Sequence, residues 1–270
     1  MTSHCDIVVF GGCVVDSIHR PESSTLRATT MHGTSNRCTL TTSFGGVGRN
    51  VTEACARMGL DVALVSAVGD DIVGRAIVRA LEELARAGIQ KQHSSSSRCG
   101  EVSVADVKFL RGHVTASYTA ILDGSGELCV ASAVMAILDQ CLLADQLLIP
   151  SSRVASALQT TATWFVLEGN VPKEELNKAA TFARQCSRMS TVRGSRRLPL
   201  LIAYDPISSS KAERAVDALQ WFDLMKPNLT EVIVFGKLLG VIDEASANVA
   251  LRLAERKSMP LLGVMVSKEG

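Results

Sequence analysis

Gly45-Gly46-Val47-Gly48-Arg49-Asn50 decides how this chain is read. The stretch follows a short apolar-alternating run, Thr39 to Phe44, and opens onto a helix expected over Val51 to Met58. Three glycines ahead of a helix let the backbone approach a ligand with no Cβ in the way. The unpaired N–H groups of a helix start can then hold polar oxygens. The Asn50 amide can donate and accept at once. Three readings fit. One is a dinucleotide fingerprint begun by Gly46-Val47-Gly48, with Asp70 at a suitable distance beyond; its third glycine fails, because position 51 is Val. The second is a tight strand-to-helix turn with no ligand. The third is a sugar or nucleoside site. No G-x-x-x-x-G-K-[ST] element occurs, so a P-loop nucleotide site has no support.

Working outward, Ile7 to Phe10 is a fully apolar run ending at Gly11-Gly12 and reads as a buried strand. Residues 17 to 37 are rich in Ser, Thr, Arg and His and read as loop or edge structure. Val62 to Val68 is another buried strand. Ile72 to Ala87 reads as a helix stopped by Gly88. Glu101 to Val107, Ala116 to Leu122 and Leu128 to Ala131 alternate as half-exposed strands do, with Asp123-Gly124-Ser125-Gly126 as a hairpin turn. Beyond residue 136, strands at Trp164 to Leu167, Leu200 to Tyr204 and Leu261 to Val266 alternate with helices at Pro172 to Arg188, Glu213 to Leu219, Leu229 to Leu239 and Glu244 to Arg256. The expected architecture is α/β: a doubly wound, mostly parallel sheet covered by helices, with a small β lid from about 14–45 and 98–132. One domain over 1–270 accounts for the whole chain.

Composition narrows the function. A net charge of +1 gives no electrostatic footprint for nucleic acid or a membrane surface. Arg184, Arg188, Arg193, Arg196 and Arg197 read as a solvated helix-to-strand connection, not a nucleic-acid patch. Apolar runs are too short and interrupted to span a bilayer. Eight cysteines without a C-x-x-C pair, and five histidines without ligand spacing, indicate no zinc motif. Buried reduced thiols, with Cys55 on an apolar face shared with Val51, Ala54 and Met58, suit a cytoplasmic protein. The polar start, Met1 to Asp6, lacks the apolar core of a secretory signal.

Ser43 to Asn50, continuing through Arg57-Met58-Gly59 to Val68-Gly69-Asp70-Asp71-Ile72-Val73-Gly74, resembles the first signature of the ribokinase (PfkB) carbohydrate kinase family. Within the family the likeness is greatest to the pseudouridine kinases. It rests on Gly45 to Asn50 and on Tyr118-Thr119-Ala120-Ile121-Leu122-Asp123-Gly124-Ser125-Gly126-Glu127-Leu128, with support from Asp205-Pro206-Ile207-Ser208 and Lys226-Pro227-Asn228-Leu229-Thr230-Glu231.

The resemblance implies a ribokinase-like fold and an ATP- and Mg²⁺-dependent kinase acting on a nucleoside or sugar, and it leaves a monovalent cation open. Asp16 is expected on the vicinal sugar hydroxyls, which a carboxylate can accept together. Gly45 and Gly46 would admit the ribose and Asn50 would bind it. Glu168, at a strand's carboxyl end, is a further sugar contact or a satisfied strand-end acid. Asn228 and Glu231 would serve the phosphates and, through water, Mg²⁺; the same letters describe a helix cap. Ser267 stands where the family has a nucleotide-contacting loop. Val102, Val104, Tyr118 and Ile121 would cover a nucleoside base or meet a second subunit, a homodimer through the lid. The family's second signature, D-T-x-G-A-G-D, which supplies the catalytic base, does not occur in the chain. No catalytic residue is therefore assigned, and the chain is expected to be a truncated form of a longer kinase. The alternatives are another ribokinase-type kinase and a non-catalytic nucleoside binder.

Overall fold

A computed structural model describes residues 4–22, 33–90, 99–141, 143–149, 152–192 and 198–257. The sequence's apolar runs pair as one parallel sheet. β1 (Ile7–Phe10) lies between β4 (Val62–Gly69) and β9 (Trp164–Glu168). β10 (Leu201–Asp205) and β11 (Leu224–Met225) extend the sheet on the β9 side. On the other side β5 (Val102–Ser103) and β6 (Val107–Leu110) both pair with β4. The order is β11-β10-β9-β1-β4-β5, with β6 also on β4.

Strand alternation divides the core into two layers. Val8 and Phe10 of β1 enter one apolar cluster with Val65, Phe165 and Ile202, while Ile7 and Val9 enter another with Val62 and Leu64. Successive side chains point to opposite faces, so both faces of a continuous apolar strand must be covered. α1 (Val47–Arg57) and α2 (Ile72–Gln90) cover the second cluster through Cys55, Ile77 and Leu81. The first is covered by α3 (Ala136–Gln140), α4 (Asp145–Leu148), α5 (Arg153–Thr160), α6 (Lys173–Val192) and a 3₁₀ helix (Ser209–Trp221). Burying a side chain such as Phe10 contributes about 1.5–3 kcal/mol. α7 (Leu229–Leu238) and α8 (Glu244–Lys257) follow β11.

The lid is a separate four-stranded sheet: β2 (Val14–Pro21), β3 (Cys38–Gly45), β7 (Ser117–Leu122) and β8 (Leu128–Val134), in the order β3-β2-β7-β8. Residues 14–21 are therefore a strand paired on both sides, not a loop or an edge. The lid also begins later than expected in its second half. Residues 102–110 join the parallel sheet instead, where Val102 and Val104 pack against the second core cluster, which removes both as base-covering residues. Tyr118 leans on the first cluster and Ile121 is half-buried within the lid.

Helix ends differ from expectation for local reasons. α1 starts at Val47 rather than Val51, because Gly48, a poor helix former, is held in its first turn against the chain after β1. Its buried face is Gly48, Thr52, Cys55 and Ala56, while Ala54 and Met58 are exposed, so the apolar face read from the sequence is displaced. α2 runs past Gly88 to Gln90. Its start is capped by Asp71, whose carboxylate accepts from Gly74 N at 2.7 Å and from Thr115 N and Oγ1 at 2.8 and 2.7 Å. The same carboxylate thus ties α2 to the approach to β7. The strand expected at 261–266 lies outside the described residues, as do Arg193, Arg196 and Arg197. Arg184 is a packing residue, bound to Trp221 O and to Asp223 at 2.8 Å.

Candidate functional site

The carboxyl ends of β1, β9, β10 and β11 lie side by side, and Asp16, Gly45, Gly46, Glu168, Asn228 and Glu231 are distributed along that edge. At the end of β1 the chain turns through Gly11-Gly12 into the lid. The start of α1 rests directly on this turn. A Cβ on Gly46 would lie 2.4 Å from Gly12 O, and one on Gly48 would lie 2.6 Å from Gly11 C. Gly46 also holds φ at +88°, where only glycine is unstrained. Arg49 N then donates to Gly12 O at 3.2 Å. The glycines of the opening motif are thus required first by backbone-on-backbone packing.

Asp16 stands on β2 opposite Ser43 of β3, and its carboxylate hangs over Gly45. A Cβ there would fall 1.9 Å from Asp16 Oδ2, so glycine is what leaves room for the acid. Partial burial raises the Asp16 pKa above the ordinary carboxylate value. No hydrogen bond or ion pair to this carboxylate is found among the described residues.

Glu168 ends β9 and is 1 % exposed. Its Oε1 accepts from Gly12 N at 2.6 Å and its Oε2 from Asn170 N at 3.1 Å. Burial outweighs these bonds and pushes its pKa up to about 7. The carboxyl is therefore committed to holding the β1 and β9 ends together. Around it, Lys211 Nζ donates to Asn170 Oδ1. Arg214 reaches Gly169 O at 3.2 Å, Asn170 O at 3.1 Å and Asp139 at 2.9 Å. Burial lowers the Lys211 pKa. Asn170, Lys211 and Arg214 were not anticipated; the one signal available was Gly11-Gly12 directly after a buried strand.

One strand further along, Asp205 ends β10 and turns the chain through Ile207, whose φ of +67° is rare for a β-branched residue. Asp205 Oδ1 accepts from Ile207 N at 3.0 Å and holds the turn. The Tyr204 hydroxyl beneath is buried without a hydrogen-bond partner among the described residues, its ring stacked on Phe222 at 4.8 Å. After β11, Asn228 caps α7 reciprocally. Glu231 N donates to Asn228 Oδ1 at 2.9 Å, and Asn228 N donates to Glu231 Oε2 at 2.8 Å.

Residues 5–96 match the model described as pfkB family carbohydrate kinase. The chain is 28% identical over 232 residues to "Uncharacterized sugar kinase YeiI" of Escherichia coli, covering 86% of this chain and 54% of that one. It is 24% identical over 192 residues to the pseudouridine kinase of the same organism, covering 69% and 48%. The chain thus spans about half the length of the curated relatives it matches. Its fold matches a carbohydrate kinase from Agrobacterium tumefaciens with a TM-score of 0.65 at 22% identity, over 93% of this chain and 67% of that one. Over residues 5–96 by sequence, and over most of its length by fold, the chain is similar to the PfkB carbohydrate kinases.

The PfkB-like fold brings Asp16, Gly45, Gly46 and Glu168 together around the end of β1. Asn228 and Glu231 lie three strand intervals away, roughly 14 Å at the usual strand spacing. Asn50 falls inside the first turn of α1 rather than ahead of it. It is exposed, with its Oδ1 accepting from Arg49 at 3.1 Å, and none of the contacts found joins it to Asp16. Ser267 lies outside the described residues. No disulfide joins any of the eight cysteines, all of them among the described residues; Cys129 is exposed, and Cys38 and Cys99 are half-buried, so burial holds for only five of the eight. Among the described residues no helix is long and apolar enough to cross a membrane.

Proposed function

We propose that this chain is the substrate-recognising part of an ATP-dependent kinase that phosphorylates the 5′-hydroxyl of pseudouridine. The observation that carries the reading is the Asp16 carboxylate, partly buried above Gly45 and without a partner among the described residues. Withdrawing a carboxylate from water without a partner is unfavourable, and a ligand with two adjacent hydroxyls relieves that cost by donating to both oxygens. A ribose diol is such a ligand. The likeness to pseudouridine kinase, at 24% identity, is what supports a nucleoside.

In this reading, Asp16 orients the ribose against the glycine turn, and Glu168 keeps that turn rigid. The α7 N-terminus suits the nucleotide phosphates. Its first N–H groups have no acceptor within the helix, and the helix dipole favours negative charge there. Glu231 is 2 % exposed and closed onto Asn228 N, which does not fit direct ligation of Mg²⁺. A role through bound water is what remains for it. When bound, MgATP supplies the phosphoryl group. No residue of this chain is assigned as the base that takes the hydroxyl proton.

An ADP-release assay comparing pseudouridine with uridine, ribose, adenosine and fructose tests the reading, on this chain and on any longer form of the protein. Preference for pseudouridine is expected. Turnover of a free sugar alone would overturn the nucleoside assignment and leave a different ribokinase-type kinase.

A further inference from the structure

A cluster of metal-ligating groups sits at the opposite edge of the sheet from the candidate kinase site. His4 and Asp6 precede β1, and Asp61 precedes β4, so all three gather where the parallel strands begin. His4 Nδ1 lies 3.6 Å from Asp6 Oδ1 and 3.5 Å from Asp61 Oδ2. Both distances exceed the 2.7–3.2 Å or so of an N–H···O hydrogen bond. Ligand atoms around a tetrahedral ion with bonds of about 2.1 Å stand about 3.4 Å apart, close to these two nitrogen–oxygen distances, and all three ligand atoms lie within 4.8 Å of one another.

The carboxylates are already oriented for such an ion. The second oxygen of Asp6 accepts from Asp61 N at 2.8 Å, and that of Asp61 accepts from Glu101 N at 2.9 Å. Outer hydrogen bonds of this kind fix which oxygen a carboxylate presents. The backbone reinforces them, with Asp6 N and Ile7 N both donating to Asp61 O at 2.8 and 3.1 Å. Only His4, the most exposed of the three, loses freedom on binding. A cavity of about 160 Å³ opens beside His4 and Asp61, lined also by Cys5, Glu101, Ser103 and Arg153, and gives water access to the remaining coordination position. Asp6, Asp61 and the nearby Glu101 supply three negative charges against the one of Arg153. One nitrogen and two carboxylate oxygens with an open position suit zinc-type ions better than the all-oxygen shell of Ca²⁺ or Mg²⁺.

We propose that His4, Asp6 and Asp61 form a three-ligand site for a divalent ion of the zinc type. The ion staples the segment entering β1 to the segment entering β4. The site is independent of the kinase reading and would stand if that reading failed.

Zn²⁺ titrated into the full 270-residue chain by calorimetry, with the thiols kept reduced, tests this. One ion per chain is expected, together with a rise in the unfolding temperature. His4→Ala and Asp61→Asn should each weaken binding more than about tenfold and abolish that rise, since even lost outer contacts weaken metal sites by about that factor. Asparagine keeps the Oδ1 acceptor for Glu101 N, and His4 lies at the surface, so both variants should fold; circular dichroism checks this. Co²⁺ should give a visible spectrum without a thiolate charge-transfer band. Undiminished affinity in both variants, a thiolate band, or no zinc bound at all would each overturn the proposal.

Discussion

At the β1 end of the carboxyl edge, Gly46 and Gly48 lie backbone to backbone on Gly11-Gly12, and the Asp16 carboxylate stands above Gly45 without a partner among the described residues. At the β11 end, Asn228 and Glu231 satisfy each other through a pair of bonds of 2.8 and 2.9 Å. The first end is assembled from three elements distant in sequence, and it keeps polar capacity in reserve. The second is local, four residues long, and its side chains are already occupied. Substitutions should therefore separate the two ends: the first in folding and nucleoside affinity, the second in the stability of α7 and the ATP affinity that depends on it.

The largest effect is expected at Gly46. Alanine there meets Gly12 O at 2.4 Å while holding φ at +88°, so both the main chain and the contact must give. A loss of about 3 kcal/mol in unfolding free energy is expected. Gly112 is the control, because its φ is +77° with nothing within 4 Å. Gly112→Ala should cost only the backbone strain, about 1 kcal/mol. Urea unfolding of the two variants measures the difference; equal losses would mean that the packing of α1 on the β1 turn contributes nothing.

Asp16→Asn comes next and acts on binding, not folding. Losing a charge-assisted pair of bonds to a diol should weaken nucleoside affinity about 10- to 100-fold, or about 1.5–3 kcal/mol. Stability should hold or rise slightly, because the acid is partly buried without compensation in the free protein. Calorimetric titration with pseudouridine decides this, and unchanged affinity would remove Asp16 from the site.

The contrast between the two ends also explains what the sequence could reveal. Asn228-x-x-Glu231 was legible because a capping box is a four-residue pattern. The buried strands β1, β4 and β9 were legible because a continuous apolar run of that length has few other uses. The start of α1 was not, since Gly48 argues against a helix locally and only its contact with Gly11 reverses that. Nor was the division of residues 98–132, because alternation in Glu101 to Val107 looks alike whether the strand edges a covered sheet or a lid. By sequence Glu168 fits a ligand contact or a satisfied acid, and its two backbone donors favour the latter. Lys211 and Arg214 sit on a 3₁₀ helix whose sequence carries no signal for the strand end it covers.

Glu168 provides a pH test of the β1 end. Its pKa is about 7 folded against an ordinary 4.5. Between those values the folded state holds a proton that the unfolded state has released. The free energy of unfolding therefore falls as pH rises from about 4.5 to about 7, on the order of 1 kcal/mol per pH unit, and the full penalty persists above that window. Asp16, also raised by burial, adds a smaller slope of the same sign. Glu168→Gln should flatten most of the slope, whatever it does to the absolute stability. A slope unchanged in this variant would mean that the Glu168 carboxyl is not what makes stability fall as pH rises.

The smallest effect is expected at Asn228. Alanine removes the acceptor for Glu231 N and should cost about 1 kcal/mol, a fall of roughly 2–4 °C in Tm for a domain of this size. Glycine tolerates the cap conformation and should cost only a few tenths. The pair of variants separates two roles that share the same letters. If Asn228 only caps α7, ATP affinity should follow stability: lower in the alanine variant, nearly normal in the glycine variant. If its side chain also meets the phosphates, ATP affinity should fall equally in both, while pseudouridine affinity at the far end of the edge stays unchanged in either case.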